Sequence, residues 1–212
     1  MVIAAVAAGI VLSDLDHYAP LDLREPPGFL TQWRLRALKG DPEGCVGVLR
    51  RSQVAVRRAP ERRLANSCGY SDGVTLSGGA LSKLPVMSCP LAAAVVSWER
   101  HVLQPAAQAR LGARVVGLRH LGAYSCRDIA GRPGRRSQHA TGNALDVAAF
   151  ELSDGSLVSV ASDWSRDTPK AAFLRDVRSG ACGVMAGVLS PDWNAAHRDH
   201  LHLDMGPLDV CR

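Results

Sequence analysis

The stretch ALDVAAFELSDGSLVSV, residues 144–160, contains the clearest secondary-structure signal in the chain. Two short runs at 144–151 and 156–160 are rich in apolar and β-branched residues, which is typical of strands. Between them lies Asp154-Gly155, a dipeptide that favours tight hairpin turns. This segment therefore predicts two antiparallel strands joined by a short turn.

Helical patterns surround these strands in no regular order. Apolar residues spaced for one helix face predict an amphipathic helix within 89–108, and residues 169–188 carry a second helical pattern. Further strands are predicted at 114–121 and 200–205. Because strands and helices do not alternate regularly, we predict an α+β fold with a small, mainly antiparallel sheet and flanking helices.

Composition limits the class of protein. The chain has 212 residues, of which 47% are hydrophobic and 21% are charged, and its formal net charge is +5. This length suits one domain with a substantial core, and the apolar share excludes a wholly disordered chain. Because no run of about 20 apolar residues occurs, a polytopic membrane protein is also excluded.

The positive charge is concentrated in residues 32–63. Such a region can attract nucleic acid, an anionic membrane surface or an acidic wall polymer, or it can be an ordinary solvated face. No helix-turn-helix, zinc-finger or RNA-recognition pattern accompanies it. We therefore expect no nucleic-acid partner.

Six cysteines are spread along the chain without any C-x-x-C pair, which excludes common zinc-finger and thioredoxin motifs. Their even number predicts three disulfides in an exported protein; buried free thiols in a cytosolic enzyme are the alternative. Since short loops close at lower entropic cost, we favour pairing between sequence neighbours. The predicted pairs are Cys45–Cys68, Cys89–Cys126 and Cys182–Cys211.

The amino-terminal residues predict export. Residues 1–12, MVIAAVAAGIVL, carry no charge and are too short to span a bilayer alone. They suit the apolar part of a signal peptide or the remnant of a membrane anchor, with a buried first helix as the alternative. Residues 13–40 are predicted to form a linker or a strap over the domain, and residues 41–212 the single domain.

Two histidine clusters carry the candidate chemistry. Residues two apart on a strand point to the same face, so His200, His202 and Asp204 are expected to project together. Asp146 lies on the first strand of the predicted hairpin, and His139 shortly precedes that strand. If these two strands pair, His139, Asp146 and His202 converge.

A convergence of two imidazoles and one carboxylate, with a fourth position open to water, is a catalytic zinc arrangement. Nitrogen ligands favour zinc over magnesium. A closed structural site would more often add a cysteine, and neither cluster contains one. We therefore predict a Zn²⁺ site. The alternative is a set of surface histidines without a metal.

The motifs also resemble known families. S-x-H-x-x-G-x-A-x-D, at 137–146, resembles the signature of the D-alanyl-D-alanine metallopeptidases, in the superfamily that includes lysostaphin-type enzymes. H-x-x-H-x-H, at 197–202, is similar to the penicillin-insensitive murein endopeptidases. The stretches YSCR, SQHATGNALDVAAF and PDWNAAHRDHLHLD resemble most closely the bacterial extensin-like protein C-terminal domain family, over about residues 45–211. This resemblance implies a core like that of the zinc metallopeptidases, and the six cysteines predict that disulfides cross-link it.

The resemblance implies roles for individual residues. Three of them would be the zinc ligands, namely His139, Asp146 and His202. His200 would contact the zinc-bound water or the developing oxyanion, and His197 would support it from nearby. Arg127, in YSCR, would bind substrate and stabilise the tetrahedral intermediate, although a surface salt bridge is an alternative role for it.

One departure from the family pattern bears on activity. The carboxypeptidases carry a glutamate general base in E-x-W-H, whereas this chain has HRDHLH. The nearest carboxylate, Asp199, would point away from His200 and His202 if the strand already includes it. We therefore favour an endopeptidase-like arrangement in which histidines do this work, and in which Asp199 and Asp204 orient imidazoles.

These inferences predict a zinc metallopeptidase that hydrolyses peptidoglycan stem peptides or cross-links, with D,D- or L,D-endopeptidase-like specificity. It would lie in the periplasm or cell envelope, with a possible membrane anchor at its amino terminus. The alternative is a non-catalytic peptidoglycan-binding module that keeps the metallopeptidase fold.

Overall fold

A computed structural model describes residues 20–64 and 66–212. The predicted signal or anchor segment at 1–12, and the beginning of the 13–40 segment, lie outside these described residues. Within the described part, helices and strands are mixed and three disulfides cross-link them, so the α+β prediction is confirmed. No helix in that part is long and apolar enough to cross a membrane.

The structure contains six α-helices within the described residues: α1 Thr31–Ala37, α2 Pro42–Arg51, α3 Cys89–Trp98, α4 Gln104–Leu111, α5 Val160–Asp163 and α6 Pro169–Ala181. A π-helical turn at Glu99–Leu103 joins α3 to α4. The strands are β1 Ala55–Arg58, β2 Arg62–Leu64, β3 Cys68–Tyr70, β4 Gly73–Ser77, β5 Met87–Ser88, β6 Val115–Gly122, β7 Asp128–Ile129, β8 Arg132–Arg136, β9 Ala144–Leu152, β10 Leu157–Ser159, β11 Gly187–Leu189, β12 Leu201–Asp204 and β13 Val210–Cys211.

The largest sheet is built around β9. One edge of β9 pairs with β6, and the other pairs with β12 along its first half and with β10 along its second half. All three pairings are antiparallel, whereas β11 pairs antiparallel with β12 and parallel with β13. The predicted hairpin is therefore confirmed, and so is the pairing of its first strand with the strand near residue 200.

Helix α3 is the central helix of the core. We predicted one apolar face, but every residue of α3 is buried. The reason is that α1, α2 and β4 all pack against it, so that α3 has no solvent-facing side. A helix that is apolar all round is expected in such a position.

The predicted helix at 169–188 is too long. Helix α6 ends at Ala181, and the residues that follow turn into β11, which hydrogen-bonds to β12. Pairing with the sheet therefore overrides the helical pattern beyond that point. Strands β1 to β5 were not predicted, because they are short and several of them are charged and exposed.

The number of disulfides is as predicted, but two of the three predicted pairings are wrong. The observed pairs are Cys45–Cys89, Cys68–Cys126 and Cys182–Cys211. Loop-closure entropy rises only slowly with loop length, so it discriminates weakly between these alternatives. The packing of α2 against α3 decides the first pair.

Residues 20–40 lie against the core. The side chains of Leu23 and Leu35 are buried. The backbone N–H of Leu23 donates to the hydroxyl of Ser52 at 2.8 Å, and its carbonyl lies 3.0 Å from Nε2 of His101. The amide of Gln32 donates to the carbonyl of Met185. These contacts attach the segment both to the helical side and to the loop before β11.

Candidate metal centre and its surroundings

A tight turn before β9 positions His139. The residues Gln138–Thr141 form a 3₁₀ turn, and the hydroxyl of Ser137 accepts a hydrogen bond from the backbone N–H of His139 at 3.3 Å. Gly142 ends the turn with φ of 65°, a left-handed conformation that favours glycine. A Cβ at this glycine would also lie only 3.2 Å from the ring of Tyr70. The turn thus depends on glycine in two ways.

Strand pairing brings the other two residues to the same place. His202 of β12 lies directly opposite Asp146 of β9 in the antiparallel register. His139, Asp146 and His202 are all buried, and each offers a ligand atom within 4.8 Å of the others. The structure therefore brings together the three residues that the sequence predicted to converge.

Outer hydrogen bonds orient both imidazoles. Nδ1 of His139 lies 3.1 Å from the carbonyl oxygen of Ala123, which can only accept, so this nitrogen carries the proton. Nε2 of His139 then faces inward, 3.1 Å from Oδ2 of Asp146. On the other ring, Nε2 of His202 lies 3.0 Å from Asp204, and Nδ1 lies 2.9 Å from Oδ1 of Asp146.

Charge coupling within the centre is strong. Burial would raise the pKa of Asp146, but hydrogen bonds to His139 and His202 outweigh it and lower that pKa well below its usual value. Burial would likewise lower the pKa of His202, yet its contacts with Asp146 and Asp204 raise that pKa to about 9. Without a metal, these contacts favour an ionised Asp146 beside a protonated His202.

The donor set fits a metal ion such as zinc. Two imidazole nitrogens and one carboxylate are the donors of many catalytic zinc sites, and both imidazoles have the outer hydrogen bonds typical of metal ligands. All six cysteines are in disulfides, so no thiolate is free to close the site as a fourth ligand. An ion held by these three residues alone would keep a position for water or substrate.

His200 lies at the edge of this centre. It directly precedes β12, and its Nε2 is 3.6 Å from Oδ1 of Asp146. Its Nδ1 contacts Oδ1 of Asp199 at 2.9 Å. We predicted that Asp199 would point away if the strand included it. Because β12 begins only at Leu201, Asp199 is free to contact His200 instead.

His197 completes the row of imidazoles. Its ring centroid lies 5.2 Å from that of His200 and 5.8 Å from that of His202. Nδ1 of His197 contacts the side-chain oxygen of Asn194 at 2.8 Å. Burial and the neighbouring charges of His202 and His200 lower the pKa of His197 to about 4, so this ring is neutral near pH 7.

Arg127 lies on an exposed loop that is attached to the turn of His139. The backbone N–H of Ser125 donates to the carbonyl of His139 at 3.0 Å, and that of Ser137 donates to the carbonyl of Arg127 at 3.1 Å. The adjacent Cys126 is bonded to Cys68 of β3. Among the described residues no carboxylate pairs with the guanidinium, whose charge contributes to the lowered pKa of His197.

Two residues that help to build the centre were not predicted. Asn194 caps the short turn Ala195–His197 with its side-chain oxygen, and an asparagine before a turn is a recognisable capping signal. Ala123 contributes only its backbone carbonyl, for which the sequence carries no signal.

Comparison with known proteins gives one positive result. No curated protein and no solved structure matches the chain. The likeness to zinc metallopeptidases therefore rests on the motifs alone. A family model described as the extensin-like protein C-terminus matches residues 43–212, a range that includes the whole candidate centre. The chain belongs to the extensin-like protein C-terminus family.

Proposed function

We propose that this protein is a zinc-dependent hydrolase of peptidoglycan stem peptides or cross-links, with a core related to that of the lysostaphin-type superfamily. The convergence of His139, Asp146 and His202 carries the proposal. These residues would hold the ion. When bound, zinc lowers the pKa of water to about 7 and polarises the scissile carbonyl.

His200 would be the proton-transferring group. Its Nδ1 is oriented by Asp199, so Nε2 is directed toward the centre. An imidazole there can accept a proton from the attacking water, or donate a hydrogen bond to the developing oxyanion. This role replaces that of the glutamate that the carboxypeptidases carry and that HRDHLH lacks.

Arg127 would act on the substrate, and His197 would act through His200. The guanidinium of Arg127 has no carboxylate partner among the described residues, so it is free to bind a substrate carbonyl or carboxylate. A fixed positive charge near the oxyanion stabilises it as it forms. His197, neutral and fixed by Asn194, would support His200 through ring contact.

The expected substrate follows from compartment and charge. Three disulfides are typical of exported proteins, which agrees with a location in the periplasm or cell envelope. Peptidoglycan stems carry free carboxylates, which a protein with a formal net charge of +5 attracts.

Digestion of purified peptidoglycan by the zinc-loaded protein tests the proposal. Mass analysis of the soluble products should show fragments that differ by the hydrolysis of one peptide bond. The His200→Ala variant is the matched control, because it should keep the metal and release few fragments. A wild-type protein that is fully loaded with zinc and releases none would contradict the proposal.

The second candidate function is a peptidoglycan-binding module without activity. The missing glutamate in HRDHLH is the observation that favours it. Under this alternative, wild-type protein co-sediments with insoluble peptidoglycan but releases no fragments from it.

A further inference from the structure

A cleft of about 810 Å³ lies beside the candidate metal centre, and none of the three candidate ligands lines it. Its walls come from the end of α1, the β2–β3 hairpin, the start of α3 and the loop after β12. Thr141 and Asn143, which follow His139 in the same turn, also line it. The cleft and the centre thus share one structural segment.

The lining of the cleft is rich in basic side chains, namely Arg36, Lys39, Arg62 and Arg63. Arg63 pairs with Glu61, and a terminal nitrogen of Arg36 pairs with Asp209. Nε of Arg36 is buried without a hydrogen-bond partner. A buried donor without a partner is costly.

Within residues 20–64 and 66–212, no carboxylate lies within salt-bridge distance of Lys39 or Arg62, although the positive charge of Lys39 acts on the nearby carboxylate of Asp72. Lys39 is exposed at the rim, and the guanidinium of Arg62 lies 4.4 Å from the ring centroid of Tyr124. Stacking on an aromatic ring fixes the guanidinium while its N–H groups stay free to donate. Tyr124 directly follows Ala123, whose carbonyl orients His139, so Arg62 stacks on the sequence neighbour of a residue that helps to build the centre.

The remaining lining favours a peptide over a polyphosphate. The half-buried carboxylate of Asp72 could pair with an amino group, which a peptide offers and a polyphosphate lacks. Leu64, Pro90 and Met205 supply apolar surface for aliphatic side chains. This combination suits a short peptide that carries carboxylates and an amine.

We propose that this cleft is a second binding site of the protein, which takes the carboxylate groups of a peptidoglycan stem peptide through Lys39 and Arg62. The inference rests on the proposed function for its substrate class. The cleft would bind one part of the wall polymer while the adjacent metal centre acts on a peptide bond.

Calorimetric titration with a stem tetrapeptide prepared from purified peptidoglycan tests the inference. The zinc-loaded full chain with His200→Ala is used, so that the probe is not hydrolysed. Lys39→Glu with Arg62→Glu should weaken binding about tenfold or more. The matched control, Arg50→Glu with Arg57→Glu, makes the same charge change on exposed residues outside the cleft and should weaken binding by no more than about twofold.

Two further titrations, with chemically different probes, test whether the cleft recognises the carboxylates of the peptide. The same tetrapeptide with its carboxyl groups converted to amides should bind about tenfold more weakly than the free acid. Inorganic tripolyphosphate should bind more weakly than the tetrapeptide. Equal losses in the cleft and control variants, or no loss in either, would overturn the inference. Tighter binding of tripolyphosphate would overturn the choice of a carboxylate peptide.

The test must distinguish a loss of binding from unfolding of the variant, and the binding result from the digestion result. Lys39→Glu alone changes only an exposed side chain, so it keeps the test valid if the double variant unfolds. If wild type digests peptidoglycan but Lys39→Glu and the double variant bind the tetrapeptide as wild type does, the inference fails and the proposed function stands. If binding is lost only in the cleft variants but wild type digests nothing, the proposed function fails and the inference stands.

Discussion

The side chain of Asp204 decides which nitrogen of His202 faces the metal centre. Because Asp204 accepts from Nε2 of His202, it leaves Nδ1 as the nitrogen that would bind a metal. We expect Asp204→Ala to lower zinc affinity about 10- to 100-fold, as measured by competition with a chromophoric chelator. Asp199→Ala is the control, since Asp199 contacts only the non-ligand His200. Equal affinities of the Asp204→Ala variant and wild type would contradict this role.

Zinc binding should depend on pH through the same imidazole. Its contacts with Asp146 and Asp204 raise the pKa of His202 to about 9 from a usual value of 6.5, so the metal-free ring is protonated near pH 7. A zinc ion that binds to this ring would have to displace that proton. Apparent affinity should therefore rise as pH increases from 6.5 toward 9, by about tenfold per unit. Competition with a chelator, corrected for the chelator's own protonation, measures the zinc affinity at each pH. An affinity that does not change with pH would contradict this prediction.

Arg127 should affect turnover and leave the metal in place. Removing a donor that stabilises an oxyanion costs about 100- to 1000-fold in rate, so we expect Arg127→Ala to lower kcat by that factor. Zinc content should not change, because the guanidinium is not among the converging ligand atoms. An unchanged kcat in Arg127→Ala would contradict a catalytic role for Arg127.

The convergence at residue scale was predictable because it follows from two simple rules. Strand periodicity places His202 on one face, and pairing of two strands brings it opposite Asp146. The position of Asp199 was not predictable, since it depends on β12 beginning at Leu201 rather than two residues earlier, at Asp199 itself. Element boundaries of this kind are set by tertiary contacts.

At the scale of elements, the fully buried helix α3 should contribute strongly to stability. Trp98 at its end is fully buried, and its indole N–H donates to the carbonyl of Val177 at 2.9 Å. We expect Trp98→Ala to lower the free energy of unfolding by about 3–5 kcal/mol, as measured in urea. Trp33→Ala, at a position that is 62% exposed, should change it by less than about 0.5 kcal/mol. Similar losses in both variants would contradict the central position of α3.

The hairpin could be predicted from sequence, whereas the surroundings of α3 could not. A turn dipeptide between two apolar runs is a local signal, and β9 and β10 follow it. The burial of α3 depends on its packing against α1, α2 and β4. These elements are separate from α3 in sequence and meet it only in the folded chain. Local periodicity carries no information about such packing.

At the scale of the whole molecule, the disulfides differ in what they attach. Cys68–Cys126 joins β3 to the loop of Arg127, whereas Cys182–Cys211 joins the end of α6 to β13, away from that loop. Replacing either pair by serine should cost about 2–4 kcal/mol in the free energy of unfolding. Only the Cys68→Ser, Cys126→Ser variant should also lose turnover, measured at a temperature at which both variants are folded. Equal turnover in the two variants would contradict this difference.

The number of disulfides was predictable from an even count of separated cysteines, and their pairing was not. Pairing depends on which elements meet in the folded chain, such as α2 with α3. Family membership covers residues 43–212 and describes the domain as a whole, so the chemistry of the centre rests on His139, Asp146 and His202.

Elemental analysis of purified protein tests the central claim most directly. Wild type should contain about one zinc ion per chain, and His202→Ala, which removes one of the three converging ligands, should contain far less. The Asp199→Ala variant should retain the wild-type amount, because Asp199 lies outside the ligand set. Equal zinc in wild type and His202→Ala, or no zinc in either after zinc loading, would contradict the account.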